Sequence, residues 1–203
     1  MHPNPIFRQA PEDQNITFAR DRAFGTLCVN ADPGPLISHI PFLLSADGTY
    51  AEAHLVRSNP IARKLKEPMD AVIAVTGPDA YISPDWYGID DQVPTWNYVA
   101  VHLRGTLRAL DREELPRVLG ELSAHMEAKL LPKTPWTMDK LTEKTATTLM
   151  AQIMPVAFDV TDIQSTWKLS QNKSDEAKAG AIEGLATSSV GSEIDALRAL
   201  MKV

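Results

Sequence analysis

The feature that most constrains the fold is a series of short apolar, β-branched runs separated by turn residues. Such runs cover residues 25–30, 36–45 and 50–56. Asp32-Pro33-Gly34 separates the first two runs and Ala46-Asp47-Gly48 separates the second two, and both are typical of tight hairpin turns. The sequence therefore predicts three consecutive strands linked as hairpins.

Later runs predict further strands. Residues 71–76 form a continuous apolar run, which we expect to be buried on both faces and to end at Gly77-Pro78. Residues 96–110 predict a long strand, and residues 156–160 predict another, with 167–169 as its continuation or a loop. Six or more strands with fewer helices predict a β-dominated α+β domain, which is consistent with a barrel.

Helical periodicity indicates where helices lie between and after these strands. They are expected over 12–22, from Ser58-Asn59-Pro60 to a point before Pro68, over about 112–131, over about 138–151 and around 194–201. Ser58 is the predicted N-cap of the second helix, and Asp111 with Glu114 resembles a capping box. We predict one main domain over 1–185 and a loosely docked helical tail over 186–203.

Charge and cysteine content exclude several classes of protein. The 203 residues carry a formal net charge of −6 and no run of lysines or arginines, which disfavours a dedicated DNA-binding domain. Cys28 is the single cysteine, so neither an intrachain disulfide nor a cysteine-rich zinc site can form. No apolar segment approaches the ~18 residues of a membrane span, and the N-terminus lacks a signal-peptide pattern. We therefore predict a cytoplasmic protein with no membrane contact.

The stretch Ser38-His39-Ile40-Pro41 has a proline inside a predicted strand. Because proline cannot donate to a ladder, the stretch is expected at a sheet edge or a bulge. Backbone groups left free at such a place can bind a planar heterocycle. An edge strand with a surface histidine explains the same residues equally well.

The segment His54-Leu55-Val56-Arg57-Ser58-Asn59-Pro60 runs from a strand into the start of a helix. Helix N-termini attract anions because their first N–H groups lack partners and the helix dipole is positive there. Arginine adds a permanently charged, two-pronged donor. The segment predicts a phosphate site, and the alternative is an ordinary N-cap beside a solvated arginine.

Residues 77–87 and 93–98 place five aromatic side chains within eighteen residues, interrupted by prolines. Tyr and Trp side chains are large and carry one polar group each, so they are common at protein interfaces and in sites where they stack on flat heterocycles. The alternative is a core aromatic cluster. The chain has no GxGxxG, GxxxxGK[ST] or GxSxG motif, and its five histidines lack metal-ligand spacing, so no metal site and no catalytic residue is predicted.

Together these segments resemble the PaiB family of FMN-binding proteins, which are described as negative transcriptional regulators. The matching strings, in family order, are SHIPFLL (38–44), AHLVRSNP (53–60), GPDAYISPDWY (77–87), VPTWNYVAVHLRG (93–105) and KLSQNK (168–173). The chain departs from the family where members commonly have Gly-His-Leu-Ala-Arg-Ala-Asn-Pro, since it has Ala53, Val56 and Ser58 there. His39 stands where members often have a histidine pair.

The resemblance implies an FMN-binding split β-barrel with peripheral helices, related to pyridoxamine-phosphate-oxidase-like flavoproteins. It implies a homodimer that holds FMN at the subunit interface. The FMN phosphate is expected at Arg57, Ser58 and Asn59. Further backbone and side-chain contacts are implied for Ser38, His39, Ile40, His54, Leu55 and Val56. Wall or partner-subunit contacts are implied for Trp96, Asn97, Lys168 and Gln171.

Two functions follow from this site. The leading hypothesis is an FMN-binding regulatory or sensor protein. The alternative is a flavin-dependent oxidoreductase that uses NAD(P)H or a small-molecule substrate, since the cofactor itself carries hydride chemistry. Direct DNA binding would follow only from the family's description, and the acidic charge balance disfavours it.

Overall fold

A computed structural model describes residues 1–202 and confirms the predicted β-dominated α+β class. The strands are β1 (Phe24–Val29), β2 (Leu36–Leu44), β3 (Tyr50–Val56), β4 (Met69–Ile82), β5 (Thr95–Ala109), β6 (Ile153–Lys168) and β7 (Gly191–Ser192). The helices are α1 (Glu12–Arg22), α2 (Pro60–Lys64), α3 (Leu115–Ala128), α4 (Glu143–Met150), α5 (Asp175–Gly184) and α6 (Ile194–Met201). In the described chain, no helix is both long and apolar enough to span a bilayer.

The strands are ordered β1-β2-β3-β6-β5-β4-β7, and β1 also pairs with β4, so six strands form a closed ring of pairings. The chain divides into two compact units. Unit 1 comprises Met1–Asn15, Thr76–Val101 and the described residues from Gln164 onward, and unit 2 comprises Ile16–Val75 and His102–Ile163. β4, β5 and β6 each contribute residues to both units, whereas β1, β2 and β3 belong to unit 2.

The core of unit 2 follows from strand alternation, because every second side chain points inward. Phe42, Leu55 and Ile73 are among its fully buried side chains. The run 71–76 was expected to be buried on both faces, and this is wrong: Val72 and Ala74 are only half-buried. β4 also continues through Gly77-Pro78 to Ile82, so the expected end of the strand at this dipeptide is wrong.

Unit 1 holds the terminal helix more firmly than expected. Leu197 and Met201 of α6 are fully buried against Ala80 and Ile82 of β4, so the helix is not loosely docked. α5, which was not predicted, packs in the same cluster. The domain boundary at residue 185 stays a prediction.

The predicted capping box of α3 does not form. Arg112–Glu114 is a 3₁₀ turn, and the side chain of Asp111 makes no capping hydrogen bond. Glu114 Oε2 instead accepts a hydrogen bond from Arg117 Nε at 2.8 Å. The charged partner one turn later competes successfully for the carboxylate.

α5 approaches the aromatic segment so closely that it requires glycine. A Cβ at Gly180 would lie 2.2 Å from Trp86 O, whereas a Cβ at Gly120, in the middle of α3, would meet no atom within 4 Å. Both glycines lie inside helices, where alanine is intrinsically preferred by roughly 0.5–1 kcal/mol.

These two glycines give a matched test of unit 1 packing. Gly180→Ala is expected to lower the free energy of unfolding by roughly 1–3 kcal/mol, because backbone atoms must move. Gly120→Ala is expected to raise it by roughly 0.5–1 kcal/mol. Urea unfolding followed by circular dichroism measures both, and equal effects of the two substitutions would contradict the close approach of α5 to Trp86.

Candidate functional site

The turn that follows β3 is closed by the side chain of Asn59. Asn59 Oδ1 accepts a hydrogen bond from Ile61 N at 2.9 Å, and Asn59 Nδ2 donates to Ser38 Oγ at 2.9 Å. Asn59 N also donates to Val56 O at 2.8 Å. A single amide therefore caps α2 and ties its start to β2, which brings the predicted site residues Ser38, Val56 and Asn59 together.

Asn59, not the predicted Ser58, is the N-cap of α2, because Asn59 has the extended backbone (φ −60°, ψ 133°) that a cap requires. α2 has five residues. Pro60 has no N–H, and Ile61 N is already bonded to Asn59, so two first-turn donors are unavailable to an anion. The predicted contribution of the helix start is therefore small, and Arg57 must supply most of any attraction.

Arg57 is held by two hydrogen bonds to backbone carbonyls, one from its backbone N–H and one from Nε of its guanidinium. Arg57 N donates to Gln152 O at 2.8 Å, and Arg57 Nε donates to Ala151 O at 3.1 Å. The side chain is exposed, and it forms no ion pair with any residue in 1–202. Its terminal nitrogens therefore retain their charge and their donors, which suits binding of a phosphate. No acidic residue occurs from 53 to 66.

β2 and β3 pair only next to the hairpin that joins them. The ladder joins Phe42–Leu44 to Ala51–Ala53 and then stops, although both strands continue. The next pair would be Pro41 with His54, and Pro41 has no N–H to donate to His54 O. β2 stays paired with β1 over Leu36–Pro41, so the expected edge or bulge is found only as a local loss of pairing on the side of β2 that faces β3.

We call the unpaired parts of the two strands the β2–β3 opening. It comprises residues 36–41 of β2 and 54–56 of β3. Phe42 N donates to Ala23 O at 3.0 Å, so the even-numbered residues of β2 bond towards β1. Because successive backbone groups point to opposite edges, the N–H groups of Ile37 and His39 point into the opening.

The facing strand presents its own backbone groups. Ser45 N donates to Tyr50 O at 2.7 Å, so even-numbered residues of β3 bond towards β2. His54 and Val56 consequently direct their backbone groups into the opening. The two segments that the sequence singled out, 38–41 and 54–60, thus lie on opposite sides of one gap in the sheet.

The predicted side chains of these strands lie on two faces of the sheet. Ile40 and Leu55 are buried in the core, whereas His39 and Val56 are exposed on the opposite face. A ligand over the opening can therefore contact the side chains of His39, His54 and Val56. Ile40 and Leu55 support the site from below through the hydrophobic core.

The two histidines of the site differ in environment. His39 is exposed, and its Nδ1 lies 3.1 Å from Thr26 Oγ1. His54 Nδ1 is buried and has no hydrogen-bond partner among the described residues. Burial lowers the pKa of His54, which keeps its imidazole neutral at pH 7. An orphaned ring nitrogen beside free backbone groups fits a polar ligand.

Trp96 and Asn97, predicted as site residues, belong to unit 1. Their side chains point to opposite faces of β5. Trp96 is 46% exposed and packs edge-on against Tyr81, with ring centroids 6.2 Å apart. Asn97 is fully buried, and its Nδ2 donates to Ser170 Oγ at 2.8 Å. Its Oδ1 has no partner among residues 1–202. Strand alternation thus directs these neighbouring side chains to opposite faces of the sheet, and their wall or partner-subunit contacts with FMN stay predictions.

Lys168 and Gln171 also differ in what they can contact. Lys168 Nζ donates to Thr95 Oγ1 and lines the same pocket as Asn97. Gln171 Nε2 donates to Trp167 O at 2.6 Å, and its Oε1 accepts from a backbone N–H two residues earlier at 2.7 Å. Gln171 Nε2 also donates to Ile6 O at 3.3 Å, so both ends of the amide are engaged by backbone groups. Of these four predicted residues, only Asn97 and Lys168 line one pocket.

The aromatic segment is partly a core cluster, which was the alternative interpretation. Trp86 packs against α5, and Tyr87 is buried with its hydroxyl 3.0 Å from Ser170 Oγ. Sequence reasoning missed Ser170, which has a left-handed backbone (φ +60°) without being glycine. It also missed Ile37, whose only signal is the direction of the β2 ladder.

Comparison with known proteins adds independent evidence. The sequence matches the family described as "Putative FMN-binding domain" over residues 1–162. The "Protease synthase and sporulation protein PAI 2" of Bacillus subtilis is 32% identical over 187 residues, which cover 91% of this chain and 89% of that protein. An uncharacterized Aspergillus fumigatus protein is 27% identical over 218 residues, which cover 82% of this chain and 84% of that protein.

Solved structures support the fold. The FAD and heme binding protein of Mycobacterium smegmatis has a TM-score of 0.55 at 16% identity, with 90% of this chain and 80% of that chain covered. The flavocytochrome Anf3 of Azotobacter vinelandii has a TM-score of 0.55 at 12% identity, with 95% and 80% covered. The chain therefore belongs to the "Putative FMN-binding domain" family, and the PaiB membership expected from its sequence is confirmed.

Proposed function

We propose that this protein binds FMN at the β2–β3 opening and acts as a flavin-dependent sensor or regulator. The observation that carries the proposal is the end of the β2–β3 ladder at Pro41, directly beside Arg57 at the end of β3. The sheet there leaves backbone donors without partners next to a guanidinium without a carboxylate. A planar, polar ring that carries a phosphate satisfies both.

Arg57 would hold the phosphate of FMN. Its Nε is engaged with Ala151 O, so the guanidinium loses little further freedom when a ligand binds its terminal nitrogens. Ser58 lies next to it in an exposed turn and offers a hydroxyl, and Asn59 fixes the turn through its bonds to β2 and α2.

The isoalloxazine ring would lie over the opening. The backbone N–H groups of Ile37 and His39 would meet its polar edge, and His54 would offer its orphaned Nδ1. A bound flavin supplies the redox chemistry, and the protein supplies binding and electrostatics. The neutral imidazole of His54 would hydrogen bond to the ring without adding charge.

A second copy of the chain would cover the exposed face of this site, as a homodimer. Phe24, Ile37 and Val56 are 56%, 59% and 50% exposed and lie on the outward side of β1, β2 and β3. Large apolar side chains clustered on one face of a sheet are typical of interaction surfaces. This face is continuous with the β2–β3 opening, so a partner seated on it would enclose the ring.

A sensor and an oxidoreductase would use the same flavin and differ in turnover. A sensor is expected to show NADH or NADPH oxidation no faster than free FMN does. Sustained reduction and reoxidation with a defined acceptor would favour the oxidoreductase. A cytoplasmic location stays a prediction from sequence, and direct DNA binding stays without support from the sequence.

Arg57→Gln tests the phosphate anchor. The substitution is expected to weaken FMN binding roughly 10- to 100-fold, because it removes a charged hydrogen-bond donor. Riboflavin, which lacks the phosphate, should bind both proteins equally, and Arg63→Gln on α2 is the matched control. Flavin fluorescence titration measures the FMN and riboflavin affinities of wild type and of both variants. Unchanged FMN affinity in Arg57→Gln would remove the proposed phosphate site.

Pro41→Ala tests whether the opening depends on the missing donor. The new N–H can bond to His54 O and extend the ladder, so FMN affinity is expected to fall at least about tenfold. Hydrogen exchange should show protection of the new amide at position 41. Pro68→Ala, at an exposed proline, is the control. An FMN affinity unchanged by Pro41→Ala would show that the ring does not use this gap.

Phe24→Glu tests the dimer, since Phe24 lies on β1 outside the β2–β3 opening. A buried carboxylate at an apolar interface should raise the dimer dissociation constant at least about tenfold. Analytical ultracentrifugation measures the change, with Ile89→Glu, at a 48% exposed residue, as the control. A wild-type chain that is monomeric at micromolar concentration would contradict the proposed homodimer.

A further inference from the structure

We propose that unit 1 binds a small organic anion, a carboxylate or a phosphate monoester, in a pocket built around Lys168 and Lys173. The pocket has a volume of about 500 Å³, within the ~300–1,000 Å³ of small-molecule sites. We call it the Lys168 pocket. The residues that the proposal uses are Tyr87, Asp91, Asn97, Lys168, Ser170 and Lys173. All belong to unit 1, and the proposal does not depend on a flavin in unit 2.

The two ammonium groups of this pocket have no carboxylate partner. Lys168 Nζ donates to Thr95 Oγ1, and Lys173 Nζ donates to Gln92 Oε1. Within residues 1–202, neither lysine forms an ion pair. Asp91 is the one carboxylate among the lining residues, and it is exposed. The pocket therefore retains an excess of positive charge, although the chain as a whole carries −6.

Each ammonium is positioned by an aromatic ring. Lys168 Nζ lies 5.8 Å from the ring centroid of Phe7, and Lys173 Nζ lies 5.0 Å from that of Tyr87. An aromatic face attracts a cation but carries no net charge to neutralise it. The lysines are thus held in place while their charges stay available to a ligand.

The charge state of Lys168 points in the same direction. Burial, and to a smaller extent the neighbouring charge of Lys173, lower the pKa of Lys168. Both effects are unfavourable to a pair of ammonium groups in one pocket. A bound anion would reduce the repulsion between the two ammonium groups. Anion binding would therefore favour the protonated form of Lys168, and protonated Lys168 would favour anion binding.

A buried polar chain supplies further donors at the base of the pocket. Asn97 Nδ2 donates to Ser170 Oγ at 2.8 Å, and Ser170 Oγ lies 3.0 Å from the hydroxyl of Tyr87. The two hydroxyl groups own two protons, and their mutual hydrogen bond uses one of them. In the described chain the other proton has no acceptor, because Asn97 Nδ2 is itself a donor.

Polar groups without partners are unusual at these three residues, because the side chains of Asn97, Ser170 and Tyr87 are all buried. Asn97 is fully buried, Ser170 is 2% exposed and Tyr87 is 4% exposed. Asn97 Oδ1 has no partner among residues 1–202. An anion cannot satisfy this amide oxygen, because both are acceptors. Buried polar groups normally find partners, and the free hydroxyl proton is the group whose partner an anionic oxygen would be. Strained backbone, as at Ser170 with φ +60°, often accompanies such sites.

The donor set identifies the ligand class. Two ammonium groups and one hydroxyl converge on one pocket, and carboxylate and phosphate oxygens accept from such donors. Phe7 and Val93 line the same pocket and give an apolar wall for a small carbon skeleton. A metal cation is disfavoured by the two lysine charges. The fitting ligand is therefore an organic acid or a phosphate ester.

The test measures the binding of defined anions to the full-length purified protein, with any bound flavin retained. Isothermal titration calorimetry is carried out with inorganic phosphate, with succinate and with uncharged succinamide. Wild-type protein is expected to bind phosphate or succinate but not succinamide. Lys168→Met and Lys173→Met should each weaken binding at least about tenfold. Lys144→Met, on the exposed surface of α4, should have no effect.

Ser170→Ala provides a second variant that leaves the charges unchanged. It removes the hydroxyl chain and should also weaken anion binding, while thermal unfolding confirms that the variant is folded. The proposal is overturned if wild-type protein binds neither phosphate nor succinate, or if both lysine variants bind them as wild type does.

FMN and riboflavin titrations of the lysine variants separate this pocket from the cofactor site. Unchanged FMN affinity in Lys173→Met is expected, because Lys173 is not among the residues implied to contact FMN. A loss of FMN affinity with riboflavin affinity retained would place the flavin phosphate in this pocket and overturn the proposal. Failure of the Arg57→Gln test alone would leave this pocket unaffected, since the two experiments use different residues and different ligands.

Discussion

The candidate flavin site depends on one missing hydrogen-bond donor, the N–H that Pro41 lacks. The β2–β3 ladder needs that donor at its next step, opposite His54, and without it the strands stop pairing after Phe42. The side chain of Asn59 then bridges the far end of the gap by bonding to Ser38. A proline and an asparagine together hold a sheet open at a defined place, and free backbone groups follow from that geometry.

Both proposed anion sites use the same device in an acidic chain. Arg57 is held by the carbonyl of Ala151, and Lys168 and Lys173 are held by a hydroxyl, an amide oxygen and aromatic rings. Neutral acceptors position a cationic side chain without cancelling its charge. A carboxylate at the same place would fix the geometry equally well but would leave little attraction for a ligand.

Much of the fold could be predicted from local sequence, and the errors have identifiable causes. The first three strands and α1 were predicted to within one or two residues, because turn residues and periodicity mark their ends. α5 was missed because its alanine- and glycine-rich sequence has no strong apolar stripe, and packing against Trp86 stabilises it. The N-cap of α2 was assigned one residue early, since Ser58 and Asn59 are both good caps and backbone conformation chooses between them.

The sequence by itself determined the family, the fold class and two residues of the site whose chemistry is intrinsic: the absent donor of Pro41 and the permanent charge of Arg57. Only the tertiary structure decided that Asn97 and Lys168 share a pocket while Trp96 and Gln171 do not. The partners that decide this are distant along the chain, as for Asn97 and Ser170, which are 73 positions apart. Local patterns record conformation and periodicity, whereas a polar atom's partner depends on how remote segments pack.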